Sequence, residues 1–175
     1  QAVNGLGGVG KSTLAREYAF KYQEELYSET GVFWVNAENQ PALERSFYDI
    51  AIVDMELDLD EDEKKEPKVV RKKVLNVFKS RKGWLLIYDN VDNPKILSKG
   101  WLPAVGCRGH VLITSRASDR RLEEAGVALG SEGSVKLEKL DEESSKALLW
   151  RKGIGRGMLG RSVEAVLEDL GGEEG

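Results

Sequence analysis

The most constraining feature of this chain is the run GLGGVGKS at residues 5–12. It fits G-x-x-x-x-G-K-[ST], with Gly5, Gly10, Lys11 and Ser12 at the fixed positions. Ala2, Val3 and Asn4 before it have the character of the end of a strand, and residues 13–19, TLAREYA, open a helix. A strand, a glycine loop and a helix in that order present backbone N–H groups and the positive end of a helix dipole to one point. Gly5, Gly7, Gly8 and Gly10, with Val9 between them, leave the backbone free to close around an anion. In that reading Lys11 supplies full charge to the outer phosphates, the Ser12 hydroxyl holds Mg2+, and Thr13 reaches the inner phosphate.

The remaining chain is compatible with one α/β domain of 175 residues. Acidic residues outnumber basic ones, 30 to 26, which gives no support to nucleic-acid binding. Cys107 is the only cysteine, and no apolar run reaches the ~20 residues of a membrane span. Nothing near the start resembles a signal peptide, so a cytoplasmic protein is expected. Because the chain begins at Gln1, almost on its glycine loop, it is expected to be a fragment whose first strand is truncated.

In chain order, Leu14, Tyr18 and Tyr22, widened by Ala15, Ala19 and Leu26, predict a helix with one buried stripe. Residues 32–35, VFWV, predict a strand buried on both faces, hence a parallel sheet. Pro41 starts a second helix carrying Leu43, Phe47, Ile50 and Ala51. The acidic run at residues 54–66 imitates a calcium loop at Asp58, Asp60 and Asp62, but Glu63 stands where that loop requires glycine. Calcium is rejected, and a solvated, mobile connection is expected, with an acidic partner-binding patch as the other reading. Pro67 opens another helix, with Val70, Val74, Leu75, Val77 and Phe78 inward.

Residues 83–90, GWLLIYDN, carry an apolar run that ends in Asp89, the form of a Walker B strand. Its carboxylate is expected at the C-terminal edge of the sheet, orienting Mg2+ through the metal's water shell. Residues 109–116, GHVLITSR, repeat the pattern and deliver Arg116 to the same edge. There it senses a terminal phosphate or stands as a solvated loop arginine. His110 enters that strand at the opposite end and is assigned a structural role. A fifth strand is expected at residues 134–138, then a helix over 140–150 capped by Asp141. A glycine-rich tail follows from 151 to 175, with a short helix over 162–170.

Taken together, GLGGVGKSTLA (5–15), VFWVNAEN (32–39), WLLIYDNVDN (84–93), HVLITSR (110–116) and VKLEKLDEESSKALL (135–149) resemble the NB-ARC family. These are the nucleotide-binding domains of STAND-class signalling ATPases, which include NLR-type immune and cell-death receptors. The likeness covers residues 1–150 and is greatest to fungal members that carry helical repeats such as TPR. It implies a three-layer P-loop NTPase fold with a five-stranded parallel sheet, the Arg116 strand lying between the loop strand and the Asp89 strand. It also implies an adenine-nucleotide switch, with ADP holding an inactive form and ATP releasing an oligomerising one. Two departures stand out. Asn90 replaces the second acid that many members carry, so hydrolysis is expected to be slow or absent. The helical lid, the winged-helix domain with its phosphate-contacting histidine, and the C-terminal repeats are also missing from the sequence. A catalytic P-loop ATPase or kinase, and a degenerate interaction scaffold, remain alternatives for the same residues.

Overall fold

The computed structural model describes residues 1–129, 133–139, 141, 143 and 144. The chain divides into two compact units, Gln1–Leu137 and Glu138–Gly175.

In the first unit, β1 (Ala2–Gly5) leads into α1 (Lys11–Leu26) and β2 (Gly31–Asn36). Helix α2 (Gln40–Asp49) runs into a π-helical turn at Ile50–Asp54, and α3 (Glu61–Lys64) precedes α4 (Pro67–Ser80). Strand β3 (Lys82–Asp89), a 3-10 turn at Pro94–Lys99, β4 (Arg108–Ser115), α5 (Asp119–Glu124) and β5 (Ser134–Leu137) complete it. The five strands form one sheet in the order β2-β3-β4-β1-β5, with every pairing parallel. Strand β4 lies between β1 and β3, as the family resemblance implies.

Alternation along β3 explains the three layers, since successive side chains of a strand point to opposite faces. Leu85 and Ile87 join Ala15, Ala19 and Tyr27 on the α1 face. Trp84, Leu86 and Tyr88 join Leu43, Phe47, Val70, Val74 and Phe78 on the face covered by α2 and α4. Strand β3 lies inside the sheet and is buried from Trp84 to Tyr88.

Three expectations change in detail. On α1 the buried contacts come from Ala15 and Ala19, whereas Leu14 and Leu26 are substantially exposed. Small residues let the helix lie close to the sheet, so the larger side chains flank the contact instead of filling it. On edge strand β2, Phe33 and Val35 are buried on the face covered by α2 and α4, while Val32 and Trp34 are half-buried on the α1 face. An apolar run alone does not distinguish an edge strand from a central one. The acidic stretch is solvated as expected, with its carboxylates exposed apart from half-buried Glu63, but it also carries a short capped helical turn at Glu61–Lys64. Asp60 accepts hydrogen bonds from the N–H groups of Asp62 and Glu63, Glu63 returns the bond to Asp60 N–H, and Leu59 is buried.

Between β3 and β4 the register shifts across Lys82 and Leu85. Gly83, with φ of +62°, accommodates the irregularity, and the Trp84 indole lies over Gly109 of β4. In the second unit, Asp141 accepts a hydrogen bond from Ser144 N–H at 2.7 Å, the contact expected of a helix cap. The helix expected over 140–150 and the tail from 151 lie largely or wholly outside the described residues.

Candidate functional site

Parallel pairing in register aligns the C-terminal ends of the strands, pairing Asn36 with Asp89, Asn4 with Ser115 and Gly5 with Leu137. That is the edge at which a parallel α/β sheet presents ligand-binding loops. The glycine loop rises from β1 there. At Gly5 an added Cβ would stand 2.3 Å from the Leu137 carbonyl oxygen, so β5 leaves room for glycine only. Gly10, with φ of +97°, turns the chain into α1 from the left-handed region. The first turn of α1 has no acidic residue and no side-chain cap, so its positive end is uncompensated within the helix.

Lys11 folds back over the loop, and its Nζ donates to the carbonyls of Gly5 at 2.9 Å and Leu6 at 2.7 Å. Ser12 Oγ donates to Asp89 Oδ1 at 2.7 Å, joining the first turn of α1 to the end of β3 across 77 positions of sequence. Thr114 Oγ1 donates to the same carboxylate oxygen and accepts from Asn90 N–H at 3.0 Å. Thr114 is a site residue the sequence reading did not single out. Its signal was a buried hydroxyl at the end of the strand next to the aspartate.

Gly7, Gly8 and Thr13 are exposed, while Val9, Gly10, Lys11 and Ser12 are half-buried along the loop. Asn90 is exposed and left-handed, with φ of +65°, a conformation an asparagine adopts more readily than most residues. Arg116 reaches the loop from β4: a Cβ on Gly7 would lie 3.9 Å from its Cδ and Nη1. Its guanidinium is paired with Asp92, Nε donating to Oδ1 at 2.9 Å and Nη2 to Oδ2. Those hydrogen bonds, chiefly, hold the Asp92 carboxyl below its ordinary range, with the charge of Lys11 a smaller influence.

Beneath the loop, Asn4 Nδ2 donates to Asp119 at the start of α5 and, at 3.1 Å, to Ser134 Oγ of β5, while Asn4 Oδ1 is buried without a partner. His110 is at the far end of β4, where its Nδ1 is 3.0 Å from the Tyr27 hydroxyl.

For Mg2+, the fitting observation is the meeting of one hydroxyl and one carboxylate at 2.7 Å. Mg2+ keeps several waters and takes only one or two protein ligands in nucleotide sites, so this donor set suits it. Among the described residues no group of three or more His, Cys, Asp or Glu side chains could hold a metal, and no helix is long and apolar enough to cross a membrane.

A strand, glycine loop and helix facing an aspartate on the second strand over define the P-loop class of α/β domains. Comparison with family models is more specific: the NB-ARC domain model matches residues 1–157, and the chain belongs to that family. A nucleotide-binding leucine-rich repeat (NLR)-like protein from Hyaloscypha variabilis is 29% identical over 163 residues. That alignment covers 85% of this chain and 16% of the relative, so the chain spans about a sixth of the relative's length.

Proposed function

We propose that this chain is the nucleotide-holding part of an NB-ARC switch, binding ADP or ATP with Mg2+ and hydrolysing it slowly or not at all. The observation that carries the reading is the convergence of Lys11, Ser12 and Asp89 at the mouth of the loop. Lys11 holds loop carbonyls through a mobile ammonium, and incoming phosphate oxygens would exchange those neutral acceptors for charged ones. The N–H groups of the loop and first turn, from Gly7, Gly8, Val9 and Gly10 to Lys11, Ser12 and Thr13, then face the phosphates. Ser12 and Asp89 would hold Mg2+, Asp89 through the metal's water, with Thr114 fixing the carboxylate. The metal supplies charge neutralisation between phosphate oxygens.

Slow hydrolysis follows from the missing proton acceptor. Asn90 carries an amide where a second acid would stand, and an amide does not take a proton from an attacking water. Arg116, beside Gly7, is the group that distinguishes a terminal phosphate.

In this reading the parent is a longer cytoplasmic protein in which residues 1–150 form the nucleotide-binding domain and helical and winged-helix subdomains close over the nucleotide. C-terminal repeats restrain it, and the ATP form self-associates. The Hyaloscypha relative, of which the match covers 16%, is described as a nucleotide-binding protein with leucine-rich repeats, which supports a longer parent with repeats. A nucleotide binding one conformer better than the other supplies the switch.

The test is a thermal-shift panel of the 175-residue chain with ADP, ATP and GTP, each with Mg2+. At a hundredfold excess over the dissociation constant, binding adds about 2.7 kcal/mol, which raises Tm by roughly 5–10 °C for a domain of this size. Adenine nucleotides should give that shift. No shift with any of the three would overturn the reading.

A further inference from the structure

The turn that carries Asp92 is braced against the end of β4. Val91 is fully buried, its N–H donates to Thr114 O at 2.9 Å, and its carbonyl accepts from Ser115 Oγ at 2.6 Å. Ser115 Oγ also accepts from Ala117 N–H at 2.8 Å, which fixes the backbone on the far side of Arg116. Asp92 N–H closes the turn onto Asn90 O at 2.9 Å. The backbone on both sides thus holds the two turns that carry Asp92 and Arg116 next to each other, and the exposed Arg116 side chain reaches across to the half-buried Asp92 carboxylate.

The contact uses both carboxylate oxygens and two guanidinium nitrogens, the fork arrangement that Arg also uses on phosphate. Asp92 therefore occupies the nitrogens that a terminal phosphate would need. A nucleoside diphosphate leaves the pair undisturbed. A triphosphate must take the fork from Asp92 and then leave that carboxylate beside a new negative charge.

We propose that Asp92 is a specificity-determining residue of the nucleotide site, which masks Arg116 and biases the domain toward nucleoside diphosphate over triphosphate. The proposal rests on the nucleotide-binding reading above and deepens it. Exchange for triphosphate is then a swap of one anion for another on a single arginine. The bias is built into the nucleotide-binding domain itself, independently of any subdomain that closes over the site.

The test compares dissociation constants for Mg-ADP and for the Mg complex of a non-hydrolysable ATP analogue in four versions of the 175-residue chain. These are the parent, Asp92→Asn, Arg116→Gln and the double variant. Asp92→Asn keeps the shape of the side chain and removes its charge. It should improve analogue affinity at least about fivefold, the lower end of typical coupling between linked interactions, with ADP affinity unchanged within about twofold. The gain should vanish when Arg116→Gln is also present. Equal changes for both nucleotides, or a gain that survives Arg116→Gln, would overturn the proposal. Should the parent bind ADP while Asp92→Asn leaves the ratio untouched, this proposal fails alone; should the parent bind neither nucleotide, the underlying reading fails with it. Asp92→Ser provides a second removal of the charge, and the same outcomes apply to it.

Discussion

Replacing Gly109 by alanine tests the packing that sets β4 beside β3 and so brings Thr114 and Asp89 together. A Cβ there would stand 2.1 Å from Cδ2 of Trp84, with two further ring atoms within 2.5 Å. The indole has little freedom to yield. It is 1% exposed, its Nε1–H donates to Phe78 O at 2.9 Å, and its ring centroid is 4.8 Å from that of Phe78. Overpacking of a core typically costs about 1–3 kcal/mol. If the ring rotates away, an unpaired buried donor adds about 1–3 kcal/mol. Together these come to about 2–6 kcal/mol, which lowers Tm by roughly 4–24 °C for a chain of this length. Thermal and urea unfolding of Gly109→Ala beside the parent measure it. Gly7→Ala is the control, because its Cβ meets nothing closer than 3.9 Å, and its stability should stay within about 0.5 kcal/mol of the parent. Should Gly109→Ala melt within a degree of the parent, the close approach of Trp84 does not fix the register.

Other outcomes are equally open to measurement. Phe47→Ala removes a fully buried ring that packs edge-on to Trp101 at 4.9 Å, and should cost about 3–5 kcal/mol in urea unfolding. Asn90→Asp keeps a residue tolerant of the left-handed backbone and adds a proton acceptor, so steady phosphate release from ATP should rise above the parent's. Because the folded-state pKa of Asp92 is depressed, its pairing with Arg116 contributes stability above the ordinary carboxylate range near pH 4 and loses it as pH falls through the lower folded value. Urea melts from pH 6 to pH 3 should therefore show a shallower acid decline in Asp92→Asn than in the parent.

The parts of this molecule that were legible in its sequence are those dictated by neighbouring residues. Gly5 to Ser12 specify a loop because glycine backbone freedom and a Lys-Ser pair act within a few positions of one another, and the strand ending in Asp89 shows itself by an unbroken apolar run. What could not be read depends on partners far along the chain. Val32 and Trp34 are only half-buried because they lie on the α1 face of edge strand β2, and neither strand order nor helix cover follows from an apolar run. Thr114 meets Asp89 across 25 positions, and Arg116 meets Asp92 across 24, through the pairing of β3 with β4. The pairing of Asp92 depends on which side chain the adjacent strand delivers, which no local pattern around it shows. The acidic stretch is solvated, as its composition indicates, but the helical turn capped by Asp60 and Glu63 and the burial of Leu59 were not legible in that composition.

The most direct test of the central claim is calorimetric titration of Mg-ADP into the 175-residue chain and into Lys11→Ala. Lys11 Nζ donates to the carbonyls of Gly5 and Leu6 at the surface of the loop, so its removal should leave the fold's circular dichroism and melting essentially intact. The account predicts saturable heat with one nucleotide per parent chain and loss of that heat in the variant. Equal binding by parent and Lys11→Ala would contradict it, because the nucleotide would then be held somewhere other than the loop from Gly5 to Ser12.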